Sequence, residues 1–113
     1  MLTKQQLSDL LADMKNRISV IIEDDRMDVI LFGSYARGDY DESSDVDAMI
    51  LTDVSREELT AKNWKIGDMA SDMLFDYGVV VSPIIENRDY FNRNSGILPF
   101  FRNVLAEGIV LNA

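Results

Sequence analysis

An α/β (α+β) domain, a small mixed β-sheet with helices packed against it, is the fold class that this sequence predicts. Three observations carry the expectation. Segments with helical and strand periodicity alternate from end to end, serine or threonine caps open the two long helices, and glycines stand where strands and helices must stop. The 113 residues suffice for one core and leave no room for a second, so residues 1–113 are read as a single domain.

Thr3 with Gln6 has the form of a capping box, and Leu7, Leu10, Leu11, Met14, Ile18, Ile21 and Ile22 follow at helical spacing. A first helix is therefore expected from about Lys4 to Asp24. Met27 to Phe32 reads as a short buried strand that Gly33-Ser34 ends, and the polar stretch to Ser44 reads as loop or broken helix. Asp45 to Leu51 forms a second strand of period two, with Val46, Ala48 and Ile50 on one face and Asp45 and Asp47 on the other. Ser55 with Glu58 opens a third helical segment through Leu59, Trp64, Met69, Ala70, Met73 and Leu74, and Gly78 is placed to stop it. Trp64, Met69 and Met73 are read as core. Val79 to Ile85 is a strand in which Pro83 points to an edge or a bulge. The tail carries a helix over residues 99–107 and a terminal strand, Ile109 to Leu111.

Composition narrows the chemistry. With no cysteine, disulfides, zinc–thiolate sites and thiol catalysis are excluded. With no histidine, the commonest general base and transition-metal ligand are missing too. Carboxylates remain as metal ligands, and they suit hard ions such as magnesium. No apolar run approaches the roughly 20 residues that span a bilayer and no signal pattern opens the chain, so a cytoplasmic protein without membrane contact is expected. A net charge of −9 argues against a direct nucleic-acid footprint and favours a basic protein partner.

The chemically informative stretch runs Gly33-Ser34-Tyr35-Ala36-Arg37-Gly38, then to Ser44-Asp45-Val46-Asp47. A glycine directly after a buried strand lets the backbone approach a ligand, and the serine adds a hydroxyl beside exposed amides, as phosphate binding requires. Two aspartates on one strand face, roughly 6 to 7 Å apart along the backbone, can hold magnesium. Each part has a plainer reading. Gly33-Ser34 alone is a turn, and Asp45 and Asp47 alone are a solvated strand face. Among fourteen aspartates, Asp39-Tyr40-Asp41 repeats the Asp-x-Asp pattern without an expected metal role. Asp68, Asp72 and Asp76 read as the solvated face of their helix. Tyr90, Phe91, Phe100 and Phe101, with Arg88, Arg93 and Arg102, read as packing and a partner-facing surface rather than a nucleic-acid patch.

Phe-Gly-Ser, ten intervening residues and Asp-Val-Asp before an apolar run together resemble the signature of the DNA polymerase β-like nucleotidyltransferases. The inner Ala36-Arg37-Gly38 and Ser44-Asp45 are similar to the small stand-alone members, the minimal nucleotidyltransferases. The resemblance implies the polymerase β-like fold, with Gly33, Ser34 and Arg37 at the nucleotide and Asp45 and Asp47 as catalytic magnesium ligands. It also implies transfer of a nucleoside monophosphate, AMP from ATP, to a hydroxyl. The acceptor it implies belongs to a partner such as the HEPN-domain toxin of HEPN/MNT toxin–antitoxin pairs, or a similar small helical protein. Members of that superfamily place a third carboxylate on the next strand; here Val81 and Ser82 stand at that depth, with Asp76 and Glu86 flanking the strand. Two alternatives stay open: a catalytically weak or inactive antitoxin that acts by binding, and an aminoglycoside-type nucleotidyltransferase with a companion subunit.

Overall fold

Residues 2–111 are described by a computed structural model. Thr3 accepts a hydrogen bond on its hydroxyl from the Gln6 amide (3.1 Å), and the Gln6 side chain accepts one from the Thr3 amide (2.8 Å). That reciprocal cap starts α1, Lys4–Ile22, two residues shorter at its far end than the periodicity suggests. Glu23 ends it in a left-handed turn, and Asp24 leaves the helix to accept hydrogen bonds from the buried Thr52 hydroxyl and the Arg26 amide. The helix stops because its next carboxylate is held by the end of a strand.

β1, Asp28–Phe32, is followed by a single turn of helix, α2, Ser34–Arg37, and then by β2, Val46–Thr52. α3, Arg56–Tyr77, starts at Ser55, whose hydroxyl accepts from the Glu58 amide, and stops at Gly78 with φ 70°. β3 is Val81–Asn87, and α4, Arg88–Asn94, follows directly, an element that the sequence pattern did not announce. α5, Pro99–Glu107, and β4, Ile109–Leu111, end where the pattern placed them. The strands form one sheet in the order β3-β2-β1-β4. β1 is antiparallel to both β2 and β4, and β2 runs parallel to β3. Pro83, which cannot donate to a ladder, therefore lies on an edge strand, as expected.

Strand alternation sorts the core into two layers. Val29, Leu31, Val46, Ala48 and Ile50 face α1 and α3 and pack on Leu10, Met14, Ile18, Met69 and Met73. Ile30, Phe32, Met49 and Leu51 face the other way, where Phe91, Phe101 and Val104 from α4 and α5 cover them. The tail is thus the second layer of the sheet; of the aromatics read as packing, Phe91 and Phe101 are buried in it and Tyr90 packs against it, whereas Phe100 is 42% exposed. Arg88 is neutralised by Asp28 and Asp53 at the sheet's edge, and Arg93 by Asp89.

Trp64 is a correction. It is 65% exposed, while α3 buries Ile66, Met69 and Met73. Two residues of helix turn the side chain by roughly 200°, so Trp64 points away from the stripe that Ile66 defines. Leu74 and Phe75 are exposed as well. Among the described residues no helix is long and apolar enough to cross a membrane.

Phe91→Ala is expected to lower stability by about 3 to 5 kcal/mol in urea unfolding, because it empties the centre of the second layer. Trp64→Ala should change it by no more than about 0.5 kcal/mol.

Candidate functional site

β1 hands the chain to the site at Phe32, which pairs with Asp47 across the antiparallel ladder. The next residue, Gly33, has φ 72° and ψ −156°, a combination that side chains strain to adopt. A second constraint acts at the same atom: a Cβ on Gly33 would overlap the Asp47 carboxylate. The backbone conformation calls for glycine, and any side chain here would also have to displace the Asp47 carboxylate. Ser34 then opens α2, and Gly38 closes it with φ 86°. Buried Tyr35 stacks on Tyr40 at 4.3 Å, which folds the loop back beneath the turn.

The loop that follows is shaped by Asp41. Its carboxylate accepts from the Ser43 amide (2.9 Å) and hydroxyl (2.7 Å), which hold its pKa below the ordinary carboxylate value, and its amide donates to the Ser44 hydroxyl (2.9 Å). Asp39 pairs with Arg37. The second Asp-x-Asp thus has a structural occupation. The Asp41 turn delivers Asp45 to the mouth of β2, where the Val46 amide donates to the Val80 carbonyl (2.9 Å). Asp45 lies one residue before the strand rather than inside it, and it is exposed, whereas Asp47 is within β2 and partly buried. Burial pushes the Asp47 carboxyl above its ordinary value of 3.8; the charges of Asp45 and Glu107 push the same way, and Arg37 opposes them.

β3 runs beside β2 in a register that sets Ser82 next to Asp47 and Val81 next to Val46. The residue directly beside Asp47 is thus a serine, not an acid. Neither flanking acid serves in its place. Glu86 pairs with Leu51, four residues farther along the sheet, where it accepts from Arg56 (3.1 Å) and from the Asn87 amide (2.8 Å). Asp76 is bound to Arg17 (2.8 Å).

A different carboxylate arrives from the tail. Glu107, the last residue of α5, accepts from the Gly33 amide (3.3 Å) and from the Arg37 guanidinium (3.4 Å). Sequence reading missed it. The one available signal was an acid in the last turn of a helix, where the macrodipole disfavours negative charge. Gly33, Ser34, Arg37 and Asp47 thus converge at one end of the sheet with Asp45 beside them, and Glu107 joins them. Among the described residues no three acids are grouped as a metal cage. Asp45 and Asp47 are nevertheless a fitting donor set for magnesium, which commonly takes one or two carboxylates and completes its shell with water and phosphate oxygens.

Residues 11–107 match the nucleotidyltransferase domain family. Three proteins of Methanocaldococcus jannaschii that bear the name "Putative protein adenylyltransferase" are similar to this chain. The first is 45% identical over 83 residues, covering 74% of this chain and 75% of the relative. The second is 44% identical over 80 residues, 71% and 79% of the two chains. The third is 31% identical over 87 residues, 76% of this chain and 59% of that protein. No solved structure matches the chain.

Asp47→Asn should raise the melting temperature of the nucleotide-free protein at neutral pH, because the folded chain holds this carboxyl above 3.8 and so ionises it at a cost. The advantage over wild type opens as pH rises through the Asp47 titration and vanishes below about pH 3, where the carboxyl is protonated both folded and unfolded. Thermal scans from acid to neutral pH read it directly.

Proposed function

The chain belongs to the nucleotidyltransferase domain family, and from that premise we propose that it transfers AMP from magnesium-bound ATP to a hydroxyl on a partner protein. The observation that carries the reading is the closeness of the Asp47 carboxylate to Gly33, which sets the residue we assign to the metal directly against the loop we assign to the phosphates. The similarity to proteins named as adenylyltransferases of proteins supports the acceptor class.

In this reading Gly33 and Ser34 bind the triphosphate by an amide and a hydroxyl, Arg37 adds charge beside it, and Asp45 and Asp47 hold the magnesium. Magnesium, when bound, offsets the triphosphate's charge and stabilises the leaving pyrophosphate. The acceptor oxygen bonds to the α-phosphorus and gives up its proton to solvent as the bond to the pyrophosphate oxygen breaks. The acceptor is a hydroxyl on a small helical partner, and a tyrosine of a HEPN-domain toxin fits the class, with this chain as the antitoxin. The exposed apolar side chains Trp64 and Phe75 on α3 are consistent with a chain that docks a partner.

One observation favours a second reading, in which the chain silences its partner by binding with little or no transfer. Ser82 beside Asp47 offers no carboxylate to take the acceptor proton or to complete a second metal site. The two readings separate by intact-mass spectrometry of the partner after incubation with ATP and magnesium. An added AMP supports transfer; a tight, silencing complex with unchanged mass supports binding alone.

Two mutational outcomes are expected. Asp45→Asn with Asp47→Asn abolishes ATP–magnesium binding in calorimetry while the protein stays folded, and unchanged affinity would remove the site assignment. Ser82→Asp raises transfer by completing an acidic triad with Asp47 across the parallel ladder, whereas Glu86→Gln leaves it unchanged, since that carboxylate is engaged with Arg56 at the far end of β3.

A further inference from the structure

Glu107 takes the hydrogen-bond donors that an incoming phosphate needs. Its Oε1 accepts from the Gly33 amide at 3.3 Å, and both its carboxylate oxygens lie 3.4 Å from the same Arg37 nitrogen. Its backbone is fixed by the residues that follow it. Ile109, two residues on, pairs with Leu31 in the β1–β4 ladder. Gly108 sits so tightly against the Val104 carbonyl and the Ile30 side chain that a Cβ there would overlap both. Only the side chain is free to leave, and it is one-third exposed, with solvent beside it.

Two roles are open to a carboxylate here, and geometry separates them. The place next to Asp47 that a third ligand would fill is on β3, at Ser82. Glu107 arrives from the opposite flank, beyond β1, and forms no three-acid group with Asp45 and Asp47. It also adds negative charge to a pair of aspartates already in mutual repulsion, as the upward push of Asp45 and Glu107 on the Asp47 carboxyl shows. Its partners are the donors of the phosphate loop.

We infer that Glu107 is an internal competitor for the phosphate subsite, an anion that holds the Gly33 amide and Arg37 until a triphosphate enters and then swings out. The inference rests on the reading of Gly33 and Arg37 as phosphate contacts. A weakly charged or metal-free anion meets three carboxylates here. A triphosphate carrying magnesium brings the cation that Asp45 and Asp47 accept and the oxygens that replace Glu107. The residue therefore tunes which phosphate species enters.

The test compares wild type, Glu107→Gln and Glu107→Ala by calorimetry, with ATP–magnesium, pyrophosphate–magnesium and adenosine as probes. Glu107→Gln is expected to bind the first two roughly three- to tenfold more tightly, the scale of one competing hydrogen-bonded contact, with adenosine unaffected. In wild type, pyrophosphate–magnesium is expected to shift the Gly33 amide resonance, and Glu107→Gln to shift that resonance before any ligand is added. Equal affinity overturns the inference, and weaker affinity overturns it in favour of Glu107 as a metal ligand. If wild type binds ATP–magnesium through Asp45 and Asp47 while Glu107→Gln gains nothing, this inference alone falls. If folded wild type and both variants bind none of the phosphates, it falls together with the proposed transfer.

Discussion

The antiparallel pairing of Phe32 with Asp47 is the constraint on which the rest of the site depends. It brings the end of β1 and the start of β2 together, so the residue after Phe32 meets the Asp47 carboxylate at a distance that leaves no room for a Cβ. A backbone at φ 72° then turns the chain into α2, which begins with Ser34 and ends with Arg37. Shift that register by one residue and Asp47 would change faces with Ala48, since side chains alternate across a strand. The core would then hold a carboxylate, and the site would lose one.

That register is held by packing on both faces. Ala48 and Ile50 are buried under α1 and α3, and Met49 and Leu51 under α4 and α5. A strand buried on both sides cannot slip without exposing one layer, so the polar end of β2 keeps its place because its apolar remainder has nowhere else to go. The tail serves the site through this architecture. α5 covers Phe32 and Met49, and the turn that follows returns the chain to β1, which carries Glu107 to the Gly33 amide.

The charges at this end of the sheet are unbalanced. Asp45, Asp47 and Glu107 face one guanidinium, Arg37, which is itself shared with Asp39. In the proposed reading, a magnesium-bound triphosphate would supply positive charge where the aspartates stand and phosphate oxygens where Arg37 and Gly33 donate. On that reading, a chain of net charge −9 can accommodate a polyanionic substrate. The remaining acids are mostly committed elsewhere: Asp41 to its serine turn, Asp76 to Arg17, Glu86 to Arg56.

The order of the elements apart from α4, the capping box at Thr3, the left-handed stop at Gly78, the final helix and strand, and the Gly33-Ser34 and Asp45/Asp47 signature were legible in the sequence. Each rests on preferences that act within a few residues: periodicity, a side chain bonding an amide three positions on, a glycine free to take positive φ. The early end of α1 at Ile22, the exposure of Trp64, the α4 and α5 layer over Met49 and Leu51, the placing of Ser82 beside Asp47, and the arrival of Glu107 at Gly33 were decided by tertiary structure. In each, segments distant along the chain meet: Asp24 with Thr52, Met49 with Phe91, Asp47 with Ser82, and Gly33 with a carboxylate 74 residues away. Local propensity carries no record of which strand lies beside which, because register and layer stacking are settled only when apolar faces from the whole chain are buried together.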